Sequence, residues 1–148
     1  MKSIFDSNDN QELIERITRL SFDSQAQWGV MTVDQMMSHC IAPIDFLFEN
    51  QQMKANFLFR LLGRMMKNKI LNEPDFKKNS PTAPSFIRTE RYDFDETKKK
   101  LTEKVISFKQ GHSVIKSNNH PFFGKMTNDD WDKLMWKHLD HHLKQFGV

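Results

Sequence analysis

A chain of 148 residues, 38% hydrophobic and 28% charged, suits one globular domain over residues 1–148 and excludes a disordered chain. Its formal charge of +3 is too mild to imply nucleic acid by itself, and a single cysteine excludes an internal disulfide framework and points to a reducing cytoplasm. Thirteen Phe and nine Met against five Gly favour helices around a bulky core over sheets.

No stretch approaches the ~20 apolar residues of a membrane span, and the segment Met1 to Asp6 has no apolar run of the signal-peptide kind. The first periodic stretch runs from about Asp9 to Leu20, with Leu13, Ile14, Ile17 and Leu20 at helical spacing. Ser21 to Gly29 interrupts it, and Trp28 is expected to plug one end of the core. A second helix should start at Thr32, where Thr32-Val33-Asp34-Gln35 has the capping-box pattern. Pro43 inside that stretch predicts a kink, or a helix broken and restarted. A third stretch, Lys54 to Leu71, is both apolar and basic. The segment from Asn72 to Arg91 is irregular, carries Pro74, Pro81 and Pro84, and is long enough to suggest that it packs over something.

Asp93 marks the next helix start, and Leu101, Val105 and Phe108 its buried stripe. A connection from Gly111 to Met126 follows. The last helix opens at Thr127, with Asp129 and Asp130 at the positive end of the dipole, and ends near Phe146 before Gly147. Connections without strand alternation make this an all-α fold, a bundle of four main helices with additional short helices and loops.

The last helix carries the chemistry. At ~100° per residue, Trp131, Met135, Leu139, Leu143 and Phe146 share an apolar arc opposed by Lys133, Lys137, Asp140 and Lys144. His142 falls near the middle of the arc, His138 just inside its edge, and His141 further round. Two imidazoles one turn apart on one face can share a metal ion. A third ligand must come from elsewhere, and His39, Cys40, His112 and His120 are the candidates. The helical wheel puts His39 at the flank of its stripe and does not choose it over Cys40. The zinc-protease signature is excluded, because Leu139 stands where that motif needs a glutamate.

His138-Leu139-Asp140-His141-His142 followed by Gln145 resembles the ending of the DinB-like superfamily, and Met36-Met37-Ser38-His39-Cys40 its second-helix histidine segment. Three further stretches resemble the uncharacterised DUF1569 subfamily: Gln27-Trp28-Gly29, Asn79 to Pro84, and His120 to Thr127. The resemblance implies a DinB-like four-helix bundle in which His39, His138 and His142 bind one divalent transition metal. Leu143-Lys144 stand where many relatives have Arg-Gly, so an arginine's role does not carry over.

Three neutral histidines suit zinc or nickel, and iron as well, and leave coordination positions open. Superfamily relatives with known activities include thiol-dependent S-transferases and isomerases, so the resemblance implies a metal-dependent enzyme, with a thiol S-transferase as the leading expectation and a low-molecular-weight thiol and a small-molecule substrate as partners. Gln145 is expected to orient a ligand histidine. His120, Phe122 and Phe123 are expected either to cover the site or to plug the seat of the last helix; spare aromatic faces permit a homodimer. The competing class is a binding module: from Met53 to Lys78, seven Lys or Arg against two acids are interleaved with Phe57, Phe59 and methionines. Such a face can meet a membrane surface, a nucleic acid or a protein partner.

Overall fold

Three of the main helices begin where the chain supplies a side-chain acceptor for their free amides. In the computed structural model, which describes residues 2–49, 57–80, 82 and 84–148, Asp6 caps helix α1 (Ser7–Arg19) by accepting from the Asn8 and Asp9 amides. Asp93 caps α4 (Phe94–Ser107) in the same way. Thr127 and Asp130 form a complete capping box on α5 (Asn128–Gln145), whose far end turns off at Gly147, with φ +76°.

At α2 (Val33–Glu49) the box is half made. The Thr32 amide donates to Gln35 Oε1 at 3.0 Å, but the Thr32 hydroxyl donates to the Asp34 carboxylate at 2.5 Å, which also accepts the Tyr92 amide at 2.8 Å. The helix then runs through Pro43 unbroken, so of the kink or the broken and restarted helix expected there, the break does not occur. Pro43 is buried and cannot return an N–H to the His39 carbonyl one turn back.

Helices α1, α2, α4 and α5 pack around one apolar cluster: α2 lies against α4 and α5, and α1 against the same two. Leu13 and Ile17, Met36 and Leu47, Leu101 and Val105, and Trp131 and Leu139 are its inward residues, each at most 1% exposed. The last helix is tied at both ends. The Ile4 amide and Ser3 hydroxyl donate to Asp132, while buried Arg16 donates to the Asp140 carboxylate at 2.7 Å and to the Val148 carbonyl at 2.9 Å. Short 3-10 turns cover Pro84–Phe86 and Phe108–Val114.

Two expectations are corrected. The connection before α5 contains a two-stranded antiparallel pair, β1 (Asn119–His120) with β2 (Gly124–Lys125), whose strands are too short to show alternation in sequence. Lys137, assigned to the charged side of α5, is buried; its ammonium donates to the Ile70 and Glu73 carbonyls and so closes the C-terminal end of α3 (Phe57–Asn72).

The first residues of the expected third stretch fall within 50–56, outside the described residues. What is described of α3 packs on α5 and β2 through a narrow seam centred on Gly63 and Leu71, the two buried residues of the helix. A Cβ on Gly63 would stand 2.2 Å from the Phe122 carbonyl oxygen, so backbone approaches backbone there. No helix of the described residues is long and apolar enough to cross a membrane.

Candidate metal centre

Because α2 and α5 pack face to face, His39 from one meets His138 and His142 from the other. The three rings form a nearly equilateral triangle, with centroids 4.9 Å apart for His39–His138, 4.7 Å for His39–His142 and 4.8 Å for His138–His142. One ligand nitrogen of each lies within 4.8 Å of the others, so the cluster could hold a metal ion. His39 and His142 are buried and His138 is partly buried.

The ring protons follow from the acceptors. His39 Nδ1 lies 2.9 Å from the Phe86 carbonyl oxygen, which can only accept, so Nδ1 carries the proton and Nε2 is bare. At His142, Gln145 sets the tautomer. Its amide nitrogen donates to the Trp28 carbonyl at 2.6 Å, which turns Oε1 towards His142 Nδ1 at 2.8 Å. Nδ1 therefore holds the proton there too, and His142 Nε2 is free. His138 Nε2 sits 2.9 Å from His39 Nε2. Since His39 Nε2 is bare, the proton between them belongs to His138, which donates to His39.

Electrostatics keep the rings neutral. Burial is the main cause at each: it lowers the pKa of His39, pushes His142 down to about 3 and holds His138 well below the ordinary value. The neighbouring imidazoles press His138 and His142 further in the same direction. A neutral imidazole is the form that ligates.

His141, although adjacent in sequence, turns away from the trio. Its ring packs between Trp28, at 5.6 Å, and Phe76, at 5.9 Å. Trp28 thus stands beside His141 near the C-terminal end of α5, with the Lys78 ammonium 4.2 Å over its ring. Its buried Nε1–H has no acceptor among the described residues. Cys40, the other candidate on α2, is a core residue: it is 1% exposed, lies 3.8 Å from Met36 Sδ, and burial pushes its thiol pKa far up.

His120 lies close enough for its charge to bear on His138, but it is not one of the cluster. Its Nδ1 accepts from the Phe122 and Phe123 amides, both at 3.1 Å, which pins the turn between β1 and β2. Phe123 is buried against His120, and Phe122 packs on Phe59 of α3, 4.3 Å between centroids. These contacts seat α3 and the hairpin on the start of α5. His112 is exposed and packs edge-on against Phe5.

Sequence reasoning missed the Phe86 and Trp28 carbonyls, since every residue has a carbonyl and nothing in a side chain announces its use. It also missed Arg88, which donates to the Ser38 hydroxyl at 3.2 Å and whose charge bears on His39. The one available signal was the length of the segment from Asn72 to Arg91, and it is this segment that brings Phe86 over His39.

The family model of DUF1569, described as a protein of unknown function, matches residues 2–147, and the chain belongs to that family. No curated protein and no solved structure matches it.

Proposed function

We propose that this DUF1569 protein binds one divalent transition metal through His39, His138 and His142 in a DinB-like arrangement, and uses it to activate a low-molecular-weight thiol for transfer to an electrophilic small molecule. The observation that carries this reading is the convergence of three neutral imidazoles whose protons are held on the outer side at two of them. His39 and His142 keep Nδ1–H against the Phe86 carbonyl and Gln145, and so present bare Nε2 atoms inwards. Metal-binding histidines are oriented in this way by their outer partners. Without an ion, the His138 Nε2–H serves His39 Nε2, and the bare Nε2 of buried His142 is left facing the pair.

His138 makes the one adjustment: to ligate through Nε2, it moves its proton to Nδ1. Nitrogen ligands suit zinc or nickel, and iron as well, and three protein ligands are the mark of a catalytic rather than a structural site. An ion bound there would supply Lewis acidity, lowering the pKa of a thiol brought to it. In the transfer, sulfur forms a bond to the acceptor carbon, the leaving group departs with its bonding pair, and the thiol proton goes to solvent. The Trp28 Nε1–H beside His141, which has no acceptor among the described residues, offers a donor for a substrate acceptor.

The test begins with the metal content of the full chain as purified, against His138→Ala. Bound metal in the wild type and its loss in the variant are expected; equal and negligible metal in both would overturn the centre. Metal-loaded protein is then incubated with bacillithiol, glutathione or mycothiol and electrophilic acceptors. Loaded protein with no turnover on any thiol, or with turnover unchanged in His142→Ala, would remove the transferase reading.

A further inference from the structure

Helix α3 carries two apolar faces, of which the fold uses one. Phe59, Gly63, Ile70 and Leu71 face the protein body. On the opposite arc, Phe57 is 79% exposed, Leu61 46%, Leu62 51% and Met65 75%, a stripe at i, i+4, i+5 and i+8. A monomeric soluble surface rarely gathers large apolar side chains in this way without a use for them. The apolar residues of this helix are too many for the core seam, and the surplus points outwards.

The cations sort with the outer arc. Arg60 and Arg64 line one edge and Lys69 continues the stripe, all exposed, and no Asp or Glu lies between Phe57 and Asn72. Lys67, by contrast, is spent on Asp130 at 2.6 Å. A two-fold pairing of copies through this arc would set Arg60, Arg64 and Lys69 against the same residues of the partner, with no acid on the helix to neutralise them. A face of negative charge meets no such conflict. The arc is also convex and one helix wide, with exposed Asn68 and Lys69 set among its apolar residues. That shape suits a deformable, flat surface better than a protein groove.

We propose that the outer face of α3 docks on an anionic lipid bilayer surface, with Phe57, Leu61, Leu62 and Met65 entering the acyl boundary and Arg60, Arg64 and Lys69 reaching the headgroups. Long cationic stems lie along apolar surface while their charges stay in the polar layer. The helix lies on the membrane and does not cross it. The α2–α5 cluster sits on other helices, so docking and metal binding are separable.

The experiment is sedimentation of the full chain with vesicles of phosphatidylcholine mixed with phosphatidylserine, against vesicles of phosphatidylcholine alone. Association with the mixed vesicles, weakened by salt, is expected. Arg60→Gln and Lys69→Gln should each reduce it about five-fold, and Leu61→Ser with Met65→Ser should reduce it further. These side chains are exposed, so unchanged helical circular dichroism in the variants is the control for folding. No sedimentation with mixed vesicles at low salt, or sedimentation indifferent to all four substitutions, would overturn the proposal. So would a concentration-dependent dimer abolished by Leu61→Ser, which would give the face to a second copy, or binding to an acidic amphipathic peptide but not to vesicles.

Discussion

Gln145 Oε1 lies 2.8 Å from His142 Nδ1, and the same side chain is locked from behind by the Trp28 carbonyl at 2.6 Å. One glutamine thus fixes both the tautomer and the rotation of a histidine three residues earlier. Gln145→Leu keeps the volume and removes the acceptor. Metal affinity in a competitive chelator titration should fall about 10–100-fold, with the other two histidines intact. Unchanged affinity would show that the contact does not position the ring.

The histidines should separate cleanly by position. His39→Ala, His138→Ala and His142→Ala each remove one corner of the triangle and should lose bound metal. His141→Ala should retain it, because that ring packs on Trp28 and Phe76 instead. Metal analysis of the four purified variants checks this; loss on His141→Ala equal to that on His138→Ala would contradict the geometry.

His120 should make the fold acid-sensitive. Burial drives its pKa to about 3 in the folded chain, against an ordinary value of 6.5. Between those limits the unfolded chain binds the extra proton and the folded chain does not, so stability falls as pH drops below 6.5 and is fully present above it. The slope from this one group is on the order of 1 kcal/mol per pH unit. Urea unfolding of wild type and His120→Asn, followed from neutral pH downwards, should show the shallower slope in the variant. Parallel slopes would mean that His120 protonates as readily folded as unfolded.

Gly63→Ala tests the seat of α3. By helix propensity alone the change should stabilise by up to about 1 kcal/mol. Here the new methyl would stand 2.2 Å from the Phe122 carbonyl oxygen and 2.6 Å from its ring. Overpacking should win and destabilise by roughly 2 kcal/mol, read as a lower Tm. A raised Tm would mean that α3 is not held against the hairpin.

Arg16 joins α1 to the end of α5, through the Asp140 carboxylate and the Val148 carbonyl, with little exposure of either charged side chain. Arg16→Met should cost about 2–4 kcal/mol, since Asp140 would lose a charge-assisted partner in a half-dry setting. The double change Arg16→Met with Asp140→Leu should recover part of that loss. Additive losses from the two single changes would show that the pair is not coupled.

The sequence by itself determined what depends on near neighbours. Caps at Asp93 and at Thr127 with Asp130, the stop at Gly147, and the shared face of His138 and His142 all follow from spacing along one helix, and the structure has them. Rotation of one helix against another is not a local property. The wheel left His39 and Cys40 open and only the family resemblance named His39; the packing of α2 on α5 is what physically brings His39 to the pair and sends the thiol into the core. Tertiary structure alone also placed Lys137 inside, because the carbonyls that receive it belong to the end of another helix. The same holds for the metal candidates: two histidines were legible as a pair, but their bare nitrogens are set by the Phe86 carbonyl and by Gln145 braced on Trp28. A backbone acceptor has the same chemistry at every position in the chain, and only the fold says which one a ring will meet.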